Sequence, residues 1–156
     1  MSYTEQEYED FEKRMHERFP GMFSNPYGGF AVGKGWWPII EILCENIQRH
    51  IDWKNSTRSM LLKDNPYDIK VPDELEQVVV AQIKEKFGTL RFYYDGGDDV
   101  IRGMVKMAEA WADSSCEECR APGSRRSGGW VRTLCDTHEE IHQKQINERF
   151  KNDAKD

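Results

Sequence analysis

Val78-Val79-Val80-Ala81-Gln82-Ile83-Lys84-Glu85-Lys86-Phe87-Gly88-Thr89-Leu90-Arg91-Phe92-Tyr93-Tyr94 is the stretch that decides the fold. β-Branched and aromatic residues run on both sides of Phe87-Gly88-Thr89. A glycine between two such runs predicts an antiparallel hairpin. Strand alternation then sorts the second run, with Leu90, Phe92 and Tyr94 on one face and Arg91 and Tyr93 on the other. Lys84 and Lys86 alternate in the first run, a pattern suited to guarding a solvent-facing edge.

Helical periods flank the hairpin. Upstream, Thr4 and Glu7 have capping-box spacing, and Tyr8, Phe11, Met15 and Phe19 recur at three- and four-residue intervals, ending at Pro20-Gly21. Pro38 opens a second helix at its first position, with Ile39, Ile40, Leu43, Ile47 and Ile51 as its core stripe. Residues 55–72, polar and broken by prolines, read as a long surface connection. Downstream, Asp95-Gly96-Gly97-Asp98-Asp99 turns the chain into a third helix, whose buried side is Ile101, Met104, Val105, Ala108 and Trp111. A last helix around Ile141 and Gln145 frays over 151–156. Helices packed on a short antiparallel hairpin sheet, followed by a zinc-ribbon or knuckle-like element, make an α+β fold. Residues 1–156 form one domain: an α+β core over 1–115, a metal-binding subdomain over 116–140, and a C-terminal helix and tail over 141–156.

The 156 residues are 38% hydrophobic and 32% charged, enough apolar material for one real core. No stretch approaches the roughly 18 to 20 apolar residues that a membrane span needs. The opening Met-Ser-Tyr-Thr-Glu-Gln-Glu lacks the basic start and apolar run of a signal peptide, which predicts a cytoplasmic protein with no membrane partner. Cysteine use agrees with a reducing compartment, because Cys44 stands alone in an apolar helical stretch and the other three fall in a metal pattern. The net charge of −6 argues against generic adhesion to duplex DNA. Basic residues nevertheless cluster at Lys84, Lys86 and Arg91, and again at Arg120, Arg125, Arg126 and Arg132.

That metal pattern is Cys116-Glu117-Glu118-Cys119 with Cys135-Asp136-Thr137-His138. A two-residue gap turns both side chains of a pair toward one ion, and three thiolates with one imidazole complete the tetrahedral set that zinc favours. Four protein ligands leave no open position, so the ion is expected to staple the fold. Iron is the minor competitor for the same donors. A redox dithiol at Cys116 and Cys119 leaves Cys135 and His138 unexplained. Glu117, Glu118 and Arg120 make the segment too polar for thiols sitting unliganded in a core. His142, one turn beyond His138, is the substitute ligand, although a solvated helix position explains it as well.

Three segments combine glycine, cation and aromatic residues: Gly33-Lys34-Gly35-Trp36-Trp37, residues 84–94, and Arg125-Arg126-Ser127-Gly128-Gly129-Trp130-Val131-Arg132. Arginine forks suit phosphate oxygens and aromatic faces stack on bases. If the segments converge, Lys34, Trp36, Trp37, Lys84, Lys86, Arg91, Tyr93, Arg125, Arg126, Trp130 and Arg132 make a site for a nucleotide-like anion. The bland reading of the tryptophans is core and hinge packing, and Gly33-Lys34-Gly35 lacks the full spacing of a phosphate loop. Asp95, Asp98 and Asp99 offer a magnesium or acid–base reading, against which stands ordinary helix capping.

Lys84-Glu85-Lys86-Phe87-Gly88-Thr89-Leu90-Arg91-Phe92-Tyr93-Tyr94, with Cys116-x-x-Cys119, Gly128-Gly129-Trp130 and Leu134-Cys135-x-x-His138, resembles a family of small uncharacterised proteins of tailed bacteriophages. The likeness covers about residues 78–140. It implies an accessory protein of the infected bacterial cytoplasm and, by analogy with other phage accessory proteins, a counter-defence role through sequestering a nucleotide signal. A zinc-supported nucleic-acid or protein adaptor is the alternative, and a nucleotide hydrolase or nuclease the next. The sequence leaves the oligomeric state open, an oligomer included.

Overall fold

In the computed structural model, which describes residues 3–153, the hairpin forms as its sequence predicts. Strands β2 (Val79–Lys86) and β3 (Thr89–Asp95) are antiparallel, with Ile83 opposite Phe92 and Lys84 opposite Arg91. Phe87 and Gly88 connect them with φ of 54° and 74°. Positive φ at both positions is what a two-residue type I′ turn requires. Glycine adopts it freely, while a bulky phenylalanine does so against its own preference. Leu90 and Phe92 are buried and Tyr94 is half-buried, whereas Arg91 and Tyr93 are exposed. A further strand, β1 (Phe30–Ala31), lies parallel to β2 and sets Phe30 against Ile83. The sheet is therefore three-stranded and mixed, with β2 at its centre. Two residues of strand inside a glycine-rich loop carry too little alternation to be read from sequence.

Helix α1 (Glu5–Arg18) starts with the expected capping box. Thr4 Oγ1 accepts the Glu7 N–H at 3.2 Å, and Glu7 Oε2 accepts the Thr4 N–H at 2.8 Å. After a 3-10 turn (Lys34–Trp36), α2 (Trp37–Lys63) buries Ile39, Ile40, Leu43, Ile47 and Ile51. It runs on through residues 55–63, where the sequence suggests a surface connection. Polarity there reflects a solvated helix face, and no proline interrupts it before Pro66. The returning chain is clamped to that extension: Asn55 exchanges hydrogen bonds with the Leu75 backbone at 3.0 and 2.8 Å, and Arg58 donates to the Pro72 carbonyl at 2.6 Å.

Helix α3 (Asp99–Ala112) is capped by Asp98, which accepts the Ile101 N–H at 3.1 Å. It buries Ile101, Val105, Ala108 and Ala112. Trp111, expected on the buried side, remains 43% exposed at the rim. Glu109 accepts the Phe92 N–H at 3.0 Å, which gives a partner to an otherwise open β3 edge group. The core joins α1, α2, α3 and one sheet face through residues such as Phe11, Ile40, Ile83, Leu90 and Ile101. Each fully buried side chain of this kind contributes about 1.5–3 kcal/mol by leaving water.

Beyond α3, β4 (Ser124–Arg126) and β5 (Arg132–Leu134) pair antiparallel and lead into α4 (Asp136–Asp153). β5 delivers Cys135, and α4 begins earlier than the helix around Ile141. None of the α4 side chains is buried. The expected fraying over 151–156 falls partly outside the described residues. Among the described residues no helix is long and apolar enough to cross a membrane.

Candidate metal centre

The four predicted ligands meet. Cys116 and Cys119 follow the end of α3, Cys135 follows β5, and His138 lies in the first turn of α4. Between the first two, the Cys116 N–H donates to the Ala121 carbonyl and the Arg120 N–H to the Cys116 carbonyl, both at 2.8 Å. Arg120 takes a φ of 65° to close this turn. The four donor atoms all lie within 4.8 Å of one another. His138 Nδ1 is 3.5 Å from Cys116 Sγ and 3.3 Å from Cys135 Sγ, and Cys119 Sγ is 3.8 Å from Cys135 Sγ.

Those separations can be compared with a tetrahedron. Bonds of about 2.3 Å to sulfur and 2.0–2.1 Å to imidazole nitrogen give S···S edges near ~3.8 Å and S···N edges near ~3.5 Å. The donor set and its spacing fit a metal ion. The four cysteines, including the buried Cys44, are free of disulfides, and burial pushes the Cys44 thiol well above the ordinary range. Cys135 is pulled down to about 7, first by the His138 backbone N–H and then by the surrounding donors. Burial pushes Cys119 up to about 11, with Cys116 adding to the rise.

Glu117 and Glu118, which make this segment polar in sequence, are themselves buried. Arg132 pairs with both, reaching Glu117 at 3.2 Å and also bonding Glu118. The Thr133 N–H donates to Glu117 Oε1 at 2.7 Å, and the Glu117 N–H to the Thr133 carbonyl at 2.9 Å. Burial holds the Glu117 carboxyl above the usual range, although Thr133 and Arg132 oppose that rise. Sequence reasoning missed this network. Its signal was two adjacent acids between paired ligands, with an arginine three residues before Cys135.

The three glycine-rich segments do come together, but on the backbone of the metal loop. The Gly35 N–H donates to the Glu117 carbonyl at 2.8 Å, and a Cβ at Gly33 or Gly35 would overlap the Glu117 or Cys116 carbonyl. Thr133 Oγ1 donates to the Gly88 carbonyl at 2.7 Å, tying the hairpin turn to β5. Trp36 is fully buried and its Nε1 donates to the Ser115 carbonyl at 2.9 Å. Trp37 is also buried, stacked on Phe11 at 4.6 Å, and Lys34 pairs with Glu7 at 2.8 Å. Arg126 donates to the Leu134 carbonyl and pairs with Asp136 at 2.7 Å. Lys34, Trp36, Trp37, Arg126 and Arg132 thus serve packing and ion pairs. The rest remain at the surface: Lys86, Arg91, Tyr93, Arg125 and Trp130 are exposed and Lys84 is half-buried.

The acidic turn resolves as capping. Asp98 caps α3 and holds His50 at 2.9 Å, and Asp99 pairs with Arg102 at 2.7 Å. Burial would raise the Asp98 carboxyl, but the His50 and Ile101 hydrogen bonds outweigh it and hold the group low. His142 stands outside the four-donor set, which is the one group of three or more close metal donors among the described residues. In comparisons with protein-family models, curated proteins and solved structures, nothing matches the chain.

Proposed function

We propose that this chain is a binding module, held in shape by one structural zinc ion, that captures an anionic ligand of nucleotide chemistry. The observation that carries this reading is the Cys3His set, whose four protein donors could surround one ion completely. Such an ion supplies fold stability and leaves no position for a substrate or an activated water. The anion follows from charge. Lys84, Lys86, Arg91 and Arg125 form no salt bridge among the described residues, in a chain whose net charge is −6. With the phage-family resemblance over residues 78–140, the proposed setting is the infected bacterial cytoplasm and the proposed role is sequestering a nucleotide signal.

A second reading, a protein adaptor, has its own support. Ile42, Leu43, Met104, Met107 and Trp111 line an apolar groove of about 400 Å³ between α2 and α3. Incubating zinc-loaded protein with linear and cyclic nucleotides separates these readings. A true ligand at about a hundred times its Kd raises the melting temperature by about 5–10 °C, and denaturing the complex returns it intact. Recovery of cleaved product would make the protein a hydrolase. A panel without a melting shift or retained nucleotide would remove the ligand class and leave the adaptor.

A further inference from the structure

The sheet has one face in the core and one in solvent, and the solvent face is built against its own stability. Lys84 on β2 stands directly opposite Arg91 on β3. Like charges in directly opposed positions weaken a strand pair. Lys86 lies on the same face, one alternation further along β2, and no carboxylate forms a salt bridge with any of the three among the described residues. Two of the three cations lie over rings. Lys84 Nζ sits 5.4 Å from the centre of Tyr93, itself 43% exposed, and Lys86 Nζ sits 5.7 Å from the centre of Phe87.

The hairpin tip adds a second aromatic station. Phe87 and Trp130 are 70% and 72% exposed, and with Lys86, Gly129, Val131 and Glu85, whose carboxylate accepts the Gly88 N–H, they line a cleft of about 310 Å³. Phe87 also holds its positive φ at the position where a type I′ turn favours asparagine. Exposure and backbone preference both argue against phenylalanine there as a folding choice. Tyr93 lies opposite Gln82, so at about 3.4 Å per residue the two stations are separated by roughly 15 Å along β2, with the three cations between them.

We propose that this outer sheet face binds single-stranded nucleic acid, its phosphates on Lys84, Lys86 and Arg91 and its bases on Tyr93 and the Phe87–Trp130 cleft. This deepens the nucleotide reading above and rests on it. Cations that track a backbone and rings that accept bases without regard to sequence are what single-strand binding uses. A mononucleotide covers one station, whereas a short strand covers both. A duplex keeps its base faces stacked inside and offers the rings nothing.

Fluorescence anisotropy of zinc-loaded full chain with labelled oligo(dT) and oligo(U) of about 12 nucleotides tests the inference, the two arms separating DNA from RNA. At about 50 mM salt the single strands bind at least ~10-fold more tightly than the matching duplex or thymidine monophosphate. Tyr93→Ala weakens binding ~10-fold. Arg91→Gln lowers the slope of log K against log salt by about 0.7, the share of one phosphate contact. It also keeps zinc and does not lower the melting temperature, because it relieves the opposition to Lys84. A purely structural arginine would show the reverse. No oligonucleotide binding, equal duplex binding, or wild-type affinity in both variants overturns the inference. If the nucleotide panel shifts melting while oligonucleotides do not bind, the sheet-face inference alone fails.

Discussion

From α1 through α3 the chain buries Phe11, Ile40, Ile83 and Leu90 against one another, whereas between Ser115 and His138 the buried residues include Glu117, Glu118, Thr133 and Cys116. The first region coheres by removing apolar surface from water, which needs no particular partner for any one side chain. The second coheres only if every buried charge and donor is matched, since a buried unpaired carboxylate is costly. Hydrogen bonds from Gly35 to Glu117, from Trp36 to Ser115 and from Thr133 to Gly88 help to fasten the two. Damage to the polar region should therefore reach the apolar one through these links.

Arg132→Ala should show the contrast most strongly. It strands Glu117 and Glu118 without their counter-charge, and breaking such a buried pair costs about 3–5 kcal/mol. Urea unfolding would measure it. The deficit should shrink as pH falls. Because Glu117 has a raised folded value, the stability tied to its protonated form is present at low pH and lost as pH rises through that value. A deficit independent of pH would mean that Arg132 contributes packing rather than charge.

Ile83→Val in the apolar region should cost about 0.5–1.5 kcal/mol and leave metal content unchanged. A loss of metal in that variant would show that the two regions are one cooperative polar–apolar unit, not two fastened parts. The smallest effect belongs to the surface. Glu41 accepts from Arg14 at 3.0 and 3.1 Å and from Arg18 at 2.7 Å, and the Arg14 bond leads the causes that hold its carboxyl below the usual range. Its contribution is present above the ordinary carboxylate range and lost as pH falls through the folded value. Glu41→Gln should cost about 0.2–1 kcal/mol near neutrality, and wild type and variant should converge in acid.

The same division governed what could be read in advance. Helix stripes, the Thr4 cap and the hairpin faces follow from periodicity, so the α+β class and the inward residues were visible in the sequence. The four metal donors were visible because ligand spacing is a local geometric demand. β1 was not, since two residues in a glycine-rich loop carry no period, and the polar end of α2 looked like loop because a solvated helix face has none to show. Gly33 and Gly35 suit an anion site in sequence because close backbone approach looks alike there whether the neighbour is an anion or, as here, the Glu117 carbonyl. Arg126 and Arg132 pose the same ambiguity. An arginine that faces Asp136 or Glu117 across a turn has the same local signature as one that faces an anion.

The most direct measurement is the metal content of freshly purified, chelator-free protein by native mass spectrometry, followed by melting before and after chelation. One zinc per chain is expected. Its removal, or Cys135→Ser, should unfold residues 113–139 and lower the melting temperature of the whole chain, because metal-binding free energy here is folding free energy. Loss of amide protection at Gly35 and Thr133 would mark the path. Protein that arrives without metal, or that gives it up with no change in melting or in exchange at those amides, would contradict the claim that the Cys116–Cys119–Cys135–His138 centre holds the two regions together.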